Sequence, residues 1–560
     1  MKKSFIVSLL AFCLLVSGIL SAQEGRMLNA HGKTMEWAYL GRIAHGENIP
    51  TTVQTISVRE AEFYGLDTGI ATTDAPVIKP VVVIQPFAIA WHGVDTSRDL
   101  TDESRMIRFR LDDPAFLLGL SFSSDSLYGS TEIDFGTDSL TRYSDEQGVT
   151  GFWKPLDYFS YWTFPEEGYL SWSDKHITVA AGRLATGIGL GRANLFLNGN
   201  ARWYDQIQAS WWSEHFRLFC FWGTSSSHLS DAEYKVQSFL PQYLDPESGS
   251  LQEDWGWDNI DNHDASTQSI VPLKMFSYHR FEFKPMNKIG LAFAEMQLVG
   301  GKAPDLTNVL PTVTWHNTYT AGVSNVMLQA DAWAVPTDGL LMYGEFLMDD
   351  SKAPKETGAS KPNCWGWELG STAVLPVTIK DWRLSLNAEY SHVDKWTYCR
   401  WQPYLTMYQR QLITGGHRGF DSPLGHTEGP DVDEAGLTFT ALSREGNRIE
   451  FGYTYINKGP VFMGMIEDNP DYTATNGKQK IVPVYYDYDV YTHDGALDAL
   501  LGNVRRHSHV LNLKASWPLM RNIEANGAID VRYIINAGFA AGETAVETVY
   551  KLGVKWSYNN

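Results

Sequence analysis

Tyr550-Lys551-Leu552-Gly553-Val554-Lys555-Trp556-Ser557-Tyr558 alternates without a break. Tyr550, Leu552, Val554, Trp556 and Tyr558 fall on one face, and Lys551, Gly553, Lys555 and Ser557 on the other. A side-chain period of two with bulky apolar residues on one side marks a β-strand between two different environments. Near the end of a chain that begins like an exported one, such an aromatic-rich strand predicts the closing strand of an outer-membrane barrel.

The same period recurs upstream. Trp382, Leu384, Leu386, Ala388 and Tyr390 alternate with Arg383, Ser385, Asn387, Glu389 and Ser391. Ile449 to Tyr455, Leu511 to Trp517 and Ile523 to Tyr533 repeat the pattern. A soluble sandwich also alternates, with its apolar face inward. Here the other face carries charges in mid-strand, which suits a polar lumen with lipid on the apolar side. The first strand is expected at Val81 to Trp91, with Pro86 at a bulge or edge. Residues 77–560 are expected to form a closed antiparallel barrel of about 16–18 strands.

The start reads as a secretory signal: Lys2 and Lys3, an apolar run from Phe5 to Leu20, and Ser21-Ala22 before Gln23. Residues 1–22 are therefore expected to be removed. Residues 23–76 differ in pattern from the strand-rich remainder, with helical pieces at Met35 to Ala44 and Ser57 to Tyr64. They are expected to form a small periplasmic helical segment.

The formal charge is -20, and loss of the two signal lysines takes it to -22. That balance repels phosphate backbones and argues against a nucleic-acid partner. Aromatics make up 13% of residues, with 20 Trp and 27 Tyr, which suits interfacial girdles or sugar-stacking surfaces. Beyond Cys13 in the signal only Cys220, Cys364 and Cys399 remain, which is neither a disulfide framework nor a zinc pattern.

Individual motifs read plainly. Gly187-Ile188-Gly189-Leu190-Gly191 lacks the third glycine spacing and the helix that a dinucleotide loop needs. His507 and His509 share a strand face, but no third metal ligand accompanies them. Asp349-Asp350 reads as a solvated strand end, and His426 as structural. No Gly-x-Ser-x-Gly elbow or His-Glu-x-x-His helix is present, so no enzyme, metal or cofactor is expected. Two long connections, Leu229 to Ile270 and Gly459 to Arg505, combine aromatic and acidic residues. Trp255, Trp257, Asp258, Asp261, Tyr486, Asp487, Tyr488 and Asp489 are the glycan-binding candidates. Rings stack on the CH faces of sugars and carboxylates accept hydrogen bonds from hydroxyls.

Several segments resemble the capsule-assembly Wzi family. They are Ala181 to Gly189, Asn194 to Arg202, Tyr278 to Pro285 with Glu295, Leu310-Pro311, His316-Asn317, Asn325, Asp331, Tyr343 to Asp350, Gly419, and Pro423 to Glu434. They stand in the family's order over roughly residues 170 to 460. The resemblance implies an outer-membrane barrel of about eighteen strands with an added periplasmic helical part. It also implies a role in holding capsular or other surface polysaccharide at the cell exterior. Within these segments His279, Arg280 and Glu295 are expected in the lumen, Arg280 and Glu295 as an ion pair on adjacent strands. The rival to a non-enzymatic, monomeric polysaccharide-organising barrel among outer-membrane lipid is a cation-preferring porin. A barrel enzyme stands third.

Overall fold

The computed structural model describes residues 25–29, 32–70, 77–93, 116–124, 126–136, 149–151, 161–163, 167–199, 203–227, 243–244, 251–252, 271–301, 303–317, 324–351, 363–377, 379, 381–400, 403–413, 418–461, 465–466, 482–483 and 504–558. Among them eighteen antiparallel strands close into one barrel. In chain order the strands are β1 (Val77–Ile84, resumed at Phe87–His92), β2 (Phe116–Ser124), β3 (Leu127–Gly136) and β4 (Tyr161–Thr163, resumed at Gly168–Asp174). Next come β5 (Ile177–Leu184), β6 (Tyr204–Trp212), β7 (Phe216–Ser225), β8 (Lys274–Met286) and β9 (Ile289–Gly300). The rest are β10 (Ser324–Thr337), β11 (Leu340–Asp350), β12 (Cys364–Val374), β13 (Trp382–Val393), β14 (Val432–Ser443), β15 (Arg448–Lys458), β16 (Arg506–Met520), β17 (Ile523–Ile535) and β18 (Thr544–Tyr558).

The aromatic C-terminal strand closes the ring. Trp556 pairs with Ile84 and Tyr550 with Ala90, so β18 meets both halves of β1. The break in β1 falls at Gln85-Pro86, where proline has no N–H to give the ladder. Its carbonyl still accepts from the Val554 amide at 3.0 Å. Closure leaves no edge strand, the condition for sheet structure in hydrocarbon.

Alternation decides what each face meets. Phe281, Phe293, Phe346, Leu369, Phe451, Leu513 and Leu552 are exposed on the outside. A band of this kind on a closed barrel is the lipid-facing surface of a transmembrane fold. The inward residues between them are mostly polar and buried, including Arg280, Glu282, Gln329, Asp331, Glu345 and Glu368.

That interior is filled by the chain itself. One end of the barrel has tight turns, as at Met286–Ile289 and Thr337–Leu340. There α1 (Lys33–Ala44) buries Leu40 and Ile43 against Trp333, Leu341 and Tyr343 of the wall. The next helix, α2 (Val58–Phe63), is capped by the Ser57 side chain, which accepts from the Glu60 amide at 3.1 Å. Both helices match the sequence expectation. Residues 32–66 are not a free-standing unit, however, because they share apolar clusters and hydrogen bonds with the strands.

The strongest anchor is Glu60, whose carboxylate accepts from Arg217 Nε of β7 at 2.6 Å with both side chains fully buried. Removing one member of a buried pair strands the other and costs about 3–5 kcal/mol. Glu60→Ala and Arg217→Ala are each expected to lower the unfolding midpoint and speed proteolysis of the N-terminal segment. The double replacement Glu60→Leu/Arg217→Leu should recover part of the loss. Additive losses in a thermal-melt cycle would contradict this account.

Candidate functional site

Three pieces of chain meet inside the barrel. The first is the N-terminal segment: Thr51 donates to Glu282 at 3.0 Å, Trp333 Nε1 to the Ile49 carbonyl at 3.2 Å, and Arg383 lies 3.8 Å over the Trp37 ring. The second is the connection from β5 to β6, which folds inward instead of outward. Gln54 N donates to Gly187 O at 2.8 Å and Gly189 N to Thr52 O at 2.9 Å, so it pairs with the first piece. Leu195, Phe196 and Leu197 are fully buried with Phe276, Tyr278, Met296 and Leu347 of the wall. The third is the connection from β13 to β14. Its Tyr398 donates from its hydroxyl to Leu195 O at 2.8 Å and from its amide to Asp349 at 2.8 Å.

Glycines let the inward loop touch the wall. A Cβ on Gly189 would fall on Glu345 and Asn194, and one on Gly191 on Glu368. Gly189 also has φ +108, a region open to glycine and costly for other residues. The glycine run rejected as a nucleotide loop is thus a close-approach device.

The register sets the electrostatics. Arg217, Glu282, Ala292, Asp331, Glu345, Glu368, Ser391 and Glu434 are successive partners across β7 to β14, one row around the wall. Arg280 reaches into that row, pairing with Glu282 at 2.9 Å and with Asp331. Arg280 does not pair with Glu295. Adjacent residues on a strand face opposite ways, so His279 and Glu295 lie on the outer wall with Phe281 and Phe293. There the segment 303–317 covers them. Glu295 accepts from His279 Nε2 at 3.1 Å, from Trp315 N at 2.9 Å and from His316 N at 3.2 Å. The Trp315 ring stacks on His279 with centroids 4.3 Å apart. Of the three expected lumen residues, only Arg280 is one.

Asp349 is likewise not a solvated strand end. It is buried and held by Arg400 at 2.7 Å. His507 and His509 bond to Tyr455 at 2.8 Å and Tyr453 at 2.9 Å. Trp255, Trp257, Asp258, Asp261, Tyr486, Asp487, Tyr488 and Asp489 lie outside the described residues.

Between α1, the inward loop and β11 to β17 a cavity of about 740 Å³ remains. Glu36, Glu389, Glu428, Glu434, Glu450 and Asp530 line it against Arg192, Arg448 and Lys514. Arg448 pairs with Glu36 and Glu450, and Lys514 reaches Glu450 at 3.4 Å. The sequence pattern did not reveal this basin, although Glu389 and Glu450 are among the mid-strand charges that point to a lumen.

His426, in the connection before β14, is fully buried and accepts from the Glu428 amide at 3.2 Å through Nδ1. Its other ring nitrogen meets the Ser391 hydroxyl at 2.9 Å. Burial pulls its pKa down to about 4, against a weaker upward pull from Glu428. Between pH 6.5 and 4 the unfolded chain then binds the extra proton, so stability falls as the medium is acidified. Wild type should lose more of its unfolding midpoint over that window than His426→Gln. Equal losses would contradict a neutral buried imidazole.

No family model matches the chain, and no curated protein matches it. Among solved structures it is similar to Wzi of Escherichia coli, an outer-membrane protein involved in group 1 capsule assembly and a carbohydrate-binding β-barrel. The identity is 12% and the TM-score 0.46, over 84% of this chain and 83% of that one. It is also similar to OccAB4 of Acinetobacter baumannii, at 9% identity and TM-score 0.37 over 86% of this chain and 98% of that one. OpdQ of Pseudomonas aeruginosa gives 8% and 0.38 over 86% and 98%. No residue role is carried over from these likenesses.

Proposed function

We propose that this protein is a non-enzymatic outer-membrane barrel that binds or organises polysaccharide at the cell surface. The carrying observation is the interior. A barrel of eighteen strands is wide enough for an aqueous channel, yet here α1, α2 and the inward loop occupy the lumen. A barrel filled in this way is suited to presenting its loops rather than to passing large solutes. In this reading the tight-turn end, where α1 sits, is the periplasmic one, and the strands that bound the long connections, Ser225 with Lys274 and Lys458 with Arg506, end at the opposite, outer side. Trp255, Trp257, Asp258 and Asp261 in one of these, and Tyr486, Asp487, Tyr488 and Asp489 in another, carry the chemistry for sugars. The segments that resemble the capsule-assembly Wzi family support the same reading.

Deleting the gene should release surface glycan into the medium, and unchanged retention would remove this reading. In the purified protein, replacing Trp255 and Trp257 with Ala should weaken binding of extracted surface glycan by roughly 1–3 kcal/mol, by analogy with aromatic stacking on bases. Unaltered titration curves would reassign both rings to loop packing.

A second reading rests on the acid-rich cavity, where six carboxylates face three cations. A narrow cation path through it would be less selective in Glu389→Gln, read as a smaller reversal potential across a salt gradient. An unchanged potential would exclude the cavity as that path.

A further inference from the structure

Glu345 and Glu368 are register partners on β11 and β12, both buried and facing the lumen. Like charges placed directly opposite destabilise a sheet, and a buried charge without compensation is costlier still. The cations nearby are committed elsewhere: Arg217 holds Glu60, and Arg280 is shared by Glu282 and Asp331. Among the described residues neither Glu345 nor Glu368 is in an ion pair, and both carboxylate oxygens of Glu368 lack a hydrogen-bond partner.

A second, uncharged group points to the same place. Asn194, on the inward loop and only 1% exposed, leaves its side-chain oxygen without a partner. That oxygen and Glu345 Oε1 flank one point, the position a Cβ of Gly189 would take. The Glu368 carboxylate fills the corresponding space above Gly191. Glu345 also accepts from the Leu195 amide at 3.3 Å, which fixes the inward loop against its carboxylate.

We propose that Glu345, Glu368 and the Asn194 side-chain oxygen form a site for one hard divalent cation, calcium being the fitting choice, that ties the inward loop to the barrel wall. All the donors are oxygens, with no imidazole or thiolate among them, and a mix of carboxylates with an amide oxygen suits calcium better than zinc or copper. Among the described residues no three His, Cys, Asp or Glu side chains gather as a metal site, so the two carboxylates and the amide oxygen are the protein donors proposed here. The inference does not depend on what the outer loops bind.

The test uses the full-length protein refolded into detergent with excess calcium chloride or with EGTA. Elemental analysis after gel filtration should find about one calcium per chain. The unfolding midpoint should lie several degrees higher in calcium than in EGTA, as a ligand of the folded state alone requires. Glu368→Gln should lose both effects while melting in EGTA no lower than wild type, because the uncompensated charge is gone. Asn194→Ala removes no acid yet should also weaken calcium retention, which separates a built site from loose association with an acidic protein. Wild type without bound calcium and with equal midpoints would overturn the proposal and assign neutralisation to protons. Full retention by Asn194→Ala and Glu368→Gln would overturn it by placing the calcium elsewhere. If Glu368→Gln does not refold, wild type and Asn194→Ala decide between these results.

Discussion

A sheet closed into a ring has two faces and no edge, and everything else in this molecule depends on that constraint. With hydrocarbon on one side, apolar residues such as Phe281, Phe293 and Leu552 must point out, and the intervening residues must point into the lumen. The lumen therefore receives the charges by geometry. Register then lines them up, so Glu282, Asp331, Glu345, Glu368 and Glu434 fall on one row instead of being scattered.

Such a row needs partners that the wall alone does not supply. Arg280 neutralises part of it through Glu282 and Asp331, and the chain brings further partners from elsewhere. The N-terminal segment contributes Thr51 to Glu282, and the inward loop contributes backbone amides to Glu345 and Glu389. The same pieces carry apolar side chains, so filling the lumen and supplying donors to some of its acids are one event. A covered polar patch on the outside obeys the same rule. His279 and Glu295 break the apolar band, and the segment holding Trp315 folds over them.

Much of this was legible in the sequence. Alternation in Tyr550 to Tyr558 and Trp382 to Tyr390 identified the strands, because period two survives whatever the partner strand is. The helices in the N-terminal segment were legible from their punctuation. What alternation alone does not reveal is which cation meets which acid. Arg280 and Glu295 looked like neighbours from strand order, but counting residues puts them on opposite faces, and Asp331 on the next strand but one is the true partner. The inward course of Gly187 to Asn198 was illegible for a different reason. It depends on glycines fitting against carboxylates that stand far away in sequence. Some of the segments that resembled a known family meet in the lumen, among them Asp331, Tyr343 to Asp350 and Pro423 to Glu434, whereas Glu295 and His316-Asn317 lie on the outer wall.

The central claim is that the polypeptide itself fills the ring. Single-channel recording of the full-length protein in a planar bilayer tests it most directly. Filled, the barrel should be silent or pass only brief, small currents, and excising residues 32–66, one of the three pieces inside, should raise the conductance. Large stable openings from the intact chain would mean that the lumen is not filled as described.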